Sequence, residues 1–226
     1  MEKRKQNQLS WQIEEFMICC KSKDLRRKTM KSYEQTLRLF ERWCRETLDI
    51  SYVDEVSENV IRRYINELQE RGKYSYCAND KSKTYNAPEK RRDFRQPISP
   101  ITINNYLRNI RVFFSWLVEE DVIKSNPMRK IKAIKQKRRP KEYMSDEDFQ
   151  RLIKGLDKSY FSEHRDYAMI ILMLDSRMRL GECTTLLDDD MDLTQKRIYF
   201  KAEKTKGKRA GLSIFRIRRS LFCVDG

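Results

Sequence analysis

Histidine, glycine and proline are scarce in this sequence. Among 226 residues there is one histidine, His164, together with 6 glycines and 5 prolines. A single histidine argues against a Ser-His-Asp triad and against any two-histidine mechanism. The six cysteines show no C-x-x-C spacing, and with one histidine they cannot supply a regular zinc cluster. We therefore expect no metal site, and thiols that pack as small hydrophobes in a reducing compartment.

Long apolar runs are also missing. No continuous apolar stretch is long enough to span a bilayer, and the first residues are polar and charged, unlike a secretory signal. A cytoplasmic protein is expected. Charge is dominated by one sign, because 49 lysines and arginines against 34 aspartates and glutamates give a formal net charge of +15. This excess favours an anionic polymer as partner, with nucleic acid first and an anionic membrane surface second.

Apolar residues recur at helical spacing through the first half of the chain and predict four amphipathic helices. The second helix is predicted to begin at Lys28 or Thr29. Ser57 is expected to cap the third, with Gly72 just past its end. Pro100 opens the fourth. The predicted apolar faces are Leu9, Ile13, Phe16, Met17 and Cys20; Met30, Tyr33, Leu37, Phe40, Trp43 and Cys44; Val60, Ile61, Tyr64, Ile65 and Leu68; and Ile103, Leu107, Ile110, Phe113, Phe114 and Leu117.

Two polar segments divide the chain. Residues 73–99 are predicted to form a long solvated basic loop inside the helical domain. Residues 129–142 are strongly basic with little apolar content and are predicted to form a linker. The sequence Ser145–Asp148 resembles a capping box at the start of a second domain. The predicted organisation is a helical domain over 1–128, a linker over 129–142 and a second domain over 143–226.

The second domain is predicted to combine helices with strands. A buried helix is expected over Tyr167–Leu174 and a short one over Leu180–Leu187. Two strands, Arg197–Lys201 and Lys208–Leu212, are expected to flank a Lys-Gly turn. The predicted fold class is mainly α, with a helical first domain and an α+β second domain.

The stretch from Asp175 to Leu187 and the later sequence Lys204–Arg209 carry the most specific signal. An apolar helix leads into a turn with Arg179, a glutamate follows three residues later at Glu182, and a lysine stands between two strands. This order, behind a small helical domain and a basic linker, resembles the tyrosine site-specific recombinases, the phage and transposon integrases. The resemblance covers about Gln12 to Arg209 and implies a SAM-like core-binding domain followed by a recombinase catalytic domain.

The resemblance also implies roles for three residues. Arg179 matches the first catalytic arginine, which would stabilise the negative charge of a phosphorane-like state. Glu182 matches a supporting carboxylate, and Lys204 matches the lysine that protonates the leaving oxygen, with Lys206 as the second choice. The family uses no cofactor. Taken alone, Arg179 and Glu182 fit a surface ion pair better, and a lysine in a turn is usually solvated. The preceding apolar helix and the Leu186–Leu187 pair favour the functional interpretation of Arg179.

Two departures from the family pattern stand out. Arg177 occupies a position where the family usually has glycine, so a long side chain there should strain or displace Arg179. After Lys204 the sequence contains no histidine and no tyrosine, whereas the family places a His-x-x-Arg element and the nucleophilic tyrosine there. We therefore expect a truncated recombinase whose 226-residue chain binds DNA but neither cleaves nor rejoins it. Covalent protein–DNA adducts formed by the purified chain would contradict that expectation.

Double-stranded DNA is the expected partner, with no membrane partner, possible self-association on DNA, and a location at the bacterial nucleoid. Basic residues of the loop and linker would neutralise phosphates, and the polar side of the fourth helix would face a groove. A solvated helix face is the competing interpretation of that side. Two other functions stay open: a non-catalytic DNA-binding regulator or recombination accessory protein, and a metal-dependent nuclease using the aspartates around Asp188. The candidate DNA-binding residues are Thr102, Asn104, Asn105, Arg108, Arg111, Lys135, Lys137, Arg138 and Arg139.

Overall fold

The computed structural model describes residues 7–77, 84–85, 87–136, 142–201 and 211–214. The chain divides into two compact units, residues 1–139 and 140–226. A helical first unit followed by an α+β second unit is what the sequence predicts. The first unit extends past the expected boundary at residue 128, because the beginning of the basic segment packs onto the helices.

The first unit is built on four long helices: α1 (Leu9–Ser22), α2 (Arg27–Leu48), α3 (Glu58–Glu70) and α4 (Pro100–Glu119). All four match predicted helices. At the start of α4 the Ser99 hydroxyl accepts the Thr102 N–H, and Pro100 occupies the first turn, where no N–H is needed. The expected cap at Ser57 is wrong in one respect: Ser57 holds the cap position, but its side chain makes no capping hydrogen bond.

Aromatic side chains form the centre of the first unit. Phe40 is fully buried and lies edge-on to Tyr64 with ring centroids 5.0 Å apart. Phe113 contacts Phe16 at 5.5 Å, also edge-on. Such tilted pairs are the arrangement that ring quadrupoles favour. A buried polar pair crosses this core: the Asn109 amide donates to the Thr36 hydroxyl at 3.0 Å and so ties α4 to α2.

The described part of the segment between α3 and α4 is largely exposed, as the sequence predicts, but the loop is closed rather than open. Its two ends pair, since the Lys73 N–H donates to the Gln96 carbonyl at 2.8 Å and the Arg95 N–H donates to the Lys73 carbonyl at 2.9 Å. A Cβ at Gly72 would lie 2.3 Å from the Arg95 backbone, so only glycine allows this approach. Pro88 is buried in a short 3-10 helix. We call residues 72–77 and 87–98 the strap.

Among its described residues, the second unit has three α-helices and a small antiparallel sheet in the order β1-β2-β3. Its elements are α5 (Asp146–Lys154), α6 (Phe161–Ser176), α7 (Leu180–Cys183), β1 (Met191–Asp192), β2 (Arg197–Phe200) and β3 (Gly211–Ile214). The predicted cap at Ser145 is confirmed, because its hydroxyl accepts the Asp148 N–H at 3.1 Å. In the sheet Ile198 pairs with Met191 on one side and Ser213 on the other. Of the predicted second strand, Gly211 and Leu212 lie in β3, and residues 208–210 lie outside the described residues.

Two predictions for the second unit need correction. The helix expected to be buried over Tyr167–Leu174 is longer, and of its residues only Leu172 is fully buried, whereas Leu174 is 57% exposed. The described core of this unit is small, centred on Leu172, Met178, Cys183 and Ile198, so it covers one side of the helix only. The short helix expected over Leu180–Leu187 ends at Cys183.

Candidate nucleic-acid interface

Arg179 stands at the start of α7 and pairs with Glu182. The Glu182 carboxylate accepts the Arg179 backbone N–H at 2.9 Å and the Nη1 of its guanidinium, also at 2.9 Å. The backbone hydrogen bond from Arg179 holds the pKa of Glu182 below its ordinary value, so the carboxylate is charged near neutrality. The Arg179 side chain is 71% exposed and that of Glu182 is 11% exposed. Glu182 therefore orients a guanidinium that still faces solvent.

Arg177 lies in the left-handed region of backbone space, with φ 57° and ψ 21°, at the end of α6. This conformation favours glycine and costs a residue with a side chain about 1–2 kcal/mol. The backbone at Arg177 thus adopts the conformation that glycine adopts most easily, which agrees with the glycine that the resemblance leads us to expect at this position. The arginine keeps the turn, and Arg179 retains its pairing with Glu182 two residues later.

The second predicted catalytic residue, Lys204, and the alternative Lys206 lie outside the described residues. The neighbouring lysine, Lys201, contacts the carboxylate of Asp190 at 3.5 Å. Asp190 is 1% exposed, and its other oxygen accepts the Leu187 N–H at 3.0 Å. The buried carboxylate thus fixes the turn that leads from α7 into the sheet and holds a lysine beside it.

Two of the aspartates near Asp188 accept hydrogen bonds from main-chain N–H groups. Asp190 accepts a backbone N–H as above, and Asp192 accepts the N–H groups of Thr194 and Gln195 at 2.9 and 2.8 Å. Within the described ranges, no group of three or more histidine, cysteine or carboxylate side chains is placed to hold a metal ion. The same ranges contain no helix both long and apolar enough to cross a bilayer.

Two of the predicted groove-facing residues of α4 form hydrogen bonds with the main chain of the basic segment. The Asn104 side chain donates to the Ile134 carbonyl at 3.0 Å and accepts the Ile134 N–H at 2.8 Å. Arg111 donates from Nη2 to the Ile131 carbonyl at 2.7 Å. Ile131 is buried and Ile134 packs against the same core. These side chains fix the path of residues 128–134 along α4.

The remaining predicted residues of α4 differ in their exposure. Asn105 and Arg108 are exposed, and Thr102 is half-buried and bonded to Ser99. The anchored segment presents its cations to solvent, because its isoleucines point inward. These exposed cations, which we call the linker cations, are Arg129, Lys130, Lys132 and Lys135. Of the predicted DNA-binding residues, Lys137, Arg138 and Arg139 lie outside the described residues.

Replacing Asn104 with alanine should release the basic segment from α4. The change removes both hydrogen bonds to Ile134 and leaves its half-buried main-chain N–H and C=O without their side-chain partner. This should lower the stability of the anchored segment by about 1–3 kcal/mol. We expect faster amide hydrogen exchange at Ile134. Asn105→Ala, on the exposed side of the same helix, is the matched control and should leave that exchange rate unchanged. Equal protection of Ile134 in all three proteins would refute the anchoring role.

Comparisons with known proteins agree with this architecture. Residues 13–82 match the family described as phage integrase, N-terminal SAM-like domain. Tyrosine recombinase XerC of Thermodesulfovibrio yellowstonii is 32% identical over 111 residues, which are 49% of this chain and 36% of that protein. XerC of Bacillus subtilis is 27% identical over 100 residues, 44% of this chain and 33% of that protein. The chain thus matches about a third of the length of these relatives.

Solved structures share the fold at low sequence identity. A lambda integrase tetramer bound to a Holliday junction superposes with a TM-score of 0.63 and 12% identity, covering 92% of this chain and 50% of that one. The Tn1549 transposon integrase in complex with circular intermediate DNA gives 0.58 and 14% identity, covering 95% and 62%. Residues 13–82 of the first unit are thus similar to the SAM-like N-terminal domain of phage integrases. These matches agree with the resemblance to the tyrosine recombinases that the sequence predicts.

Proposed function

We propose that this chain binds double-stranded DNA as part of a site-specific recombinase of a mobile element. The observation that carries the proposal is the phage-integrase SAM-like domain over residues 13–82, together with the linker cations that the same unit fixes in place. Its solved structural relatives include integrases bound to DNA, one of them a tetramer on a Holliday junction. The net charge of +15 gives the attraction that such a partner requires.

In this proposal the first unit provides affinity for DNA, and the second unit provides an arginine that contacts a DNA phosphate. Arg179 would contact a non-bridging phosphate oxygen, since Glu182 occupies part of its guanidinium and the rest is exposed. In a complete recombinase of this kind, Lys204 would donate a proton to the leaving oxygen of the scissile phosphate. The reaction of the family passes through a phosphotyrosine bond and needs neither metal nor cofactor. Self-association on DNA and residence at the nucleoid belong to the same proposal.

The test is the salt dependence of duplex binding. Fluorescence anisotropy of a labelled duplex should show an observed association constant whose logarithm falls linearly with the logarithm of salt concentration. Each phosphate neutralised contributes a slope of about −0.9, so the four linker cations alone predict a slope of about −3.6. Binding that does not change with salt, or no binding at about 50 mM salt, would overturn the proposal.

A further inference from the structure

A cavity of about 490 Å³ lies beneath the strap, between α2 and the first turns of α4. Three cationic side chains line it, Arg71, Lys73 and Arg91. Hydroxyl-bearing residues of the two helices complete the wall, among them Ser32, Thr36 and Tyr106. Among the described residues that line the cavity there is no aspartate or glutamate. Its volume falls within the range of small-molecule pockets, about 300–1,000 Å³.

The charges at this cavity are only partly compensated. One carboxylate, Asp93, contacts both Lys73 at 3.8 Å and Arg91 at 3.2 Å. Three cations against one carboxylate leave a local balance of +2, from +3 and −1. No ion pair joins Arg71 to any residue in the described part of the chain. An uncompensated cluster of cations in a concave site attracts an anion.

Arg71 is the residue that points most clearly to a ligand. Its guanidinium is held between two aromatic rings, 5.8 Å from the centre of Tyr64 and 5.1 Å from that of Tyr76. The Nη1 atom is enclosed; the Tyr64 hydroxyl lies near this guanidinium, but no hydrogen bond of good geometry reaches Nη1 from it or from the other described residues. A buried guanidinium N–H without a partner is costly, and an anion in the cavity would relieve that cost.

The strap keeps this arrangement fixed. Tyr76 donates its hydroxyl to Glu46 at 2.8 Å, and Arg42 donates to the Cys77 carbonyl at 3.1 Å. The hydrogen bond from Tyr76 holds the pKa of Glu46 below its ordinary value, so the acceptor stays charged near neutrality. These contacts hold one wall of the cavity against α2, which makes the pocket preformed rather than induced.

We propose that this cavity binds the phosphoryl group of a phosphorylated ligand, with Arg71, Lys73 and Arg91 as the phosphate-binding residues. Guanidinium and ammonium groups are the usual phosphate partners in proteins, and arginine can grip two oxygens at once. The phosphoryl group comes either from a small molecule such as a nucleotide or from a nucleic-acid backbone. Where the phosphate comes from a small molecule, binding in the cavity does not depend on the proposed duplex binding.

The test is calorimetric titration of the full chain with deoxyadenosine monophosphate at low ionic strength, with deoxyadenosine as the phosphate-free probe. The nucleotide should bind saturably and the nucleoside should not. Lys73→Gln and Arg71→Gln should each weaken nucleotide binding about tenfold, the loss expected for one charge-assisted hydrogen bond. Arg62→Gln removes an exposed arginine of α3 that does not line the cavity and is the matched control.

The two variants distinguish the loss of a contact with the ligand from the loss of the local fold. Arg71 packs on two tyrosines, so its replacement can loosen the strap, whereas the Lys73 side chain is 34% exposed and its replacement leaves those contacts in place. If a saturating duplex displaces the nucleotide, and Lys73→Gln weakens the binding of both nucleotide and duplex, the nucleic-acid backbone is the source of the phosphate. Unchanged nucleotide affinity in the DNA complex supports a small molecule. Equal binding of nucleotide and nucleoside, or wild-type affinity in Lys73→Gln, overturns the proposal.

Discussion

Replacing Phe40 with alanine is expected to lower the free energy of unfolding of the first unit by about 3–5 kcal/mol. Phe40 is fully buried and contacts Tyr64, Trp43 and Phe114, so no solvent or flexible neighbour can fill the space that its ring leaves. Small domains are stable by about 5–15 kcal/mol in total, so the change should consume a large part of that margin.

Urea unfolding followed by tryptophan fluorescence measures this effect in the first unit alone, because all three tryptophans, Trp11, Trp43 and Trp116, lie within residues 1–139. The matched control is Ile101→Ala, which truncates a residue that is 54% exposed on α4. It should change stability by less than about 0.5 kcal/mol. A loss below about 1 kcal/mol for Phe40→Ala would contradict the described core.

Neutralising the four linker cations together should cause the largest loss of DNA affinity. The combined replacement of Arg129, Lys130, Lys132 and Lys135 by glutamine is expected to weaken duplex binding by about 10²- to 10³-fold near 0.1 M salt. The salt slope should become shallower by about 0.9 for each phosphate contact that is lost. The fold should survive, because these side chains are exposed while Ile131 and Ile134 still anchor the segment.

A second quadruple variant distinguishes the effect of where the cations lie from the effect of the net charge of the chain. Lys21, Lys23, Arg62 and Arg63 are also exposed and lie outside the basic segment, so their replacement by glutamine removes the same formal charge. Anisotropy titrations over a series of salt concentrations compare the two variants. If both lose affinity and slope equally, binding depends on overall charge and the linker cations have no special role.

The helices of the first unit could be predicted because their signal is local and repeated. The apolar positions around Phe40, Tyr64 and Phe113 recur at 3.6-residue spacing, and the same side chains are buried in the structure. The turn at Arg177 was also visible, since a position that favours glycine in a family indicates an unusual backbone, and φ there is 57°.

Other features depend on contacts between distant parts of the chain and have no local signature. The path of the basic segment depends on Asn104 bonding to Ile134, 30 residues later. The pairing of the strap's ends depends on Lys73 meeting Gln96. Nothing in the local sequence distinguishes Arg71, next to Gly72 at the end of a helix, from an ordinary terminal residue. Its place between two tyrosines emerges only when the strap folds back over α2 and α3.

The close approach at Gly72 has a consequence for how this chain can change over time. The strap leaves the helical bundle and returns to it at neighbouring points, where Gly72 and Pro97 form a β-bridge. Lengthening a loop whose ends already meet costs little, about 0.6 kcal/mol for each doubling. Insertions or deletions between those ends can therefore accumulate without disturbing the packing of α3 against α4. The strap is a site where related chains can acquire different accessory surfaces on a common helical frame.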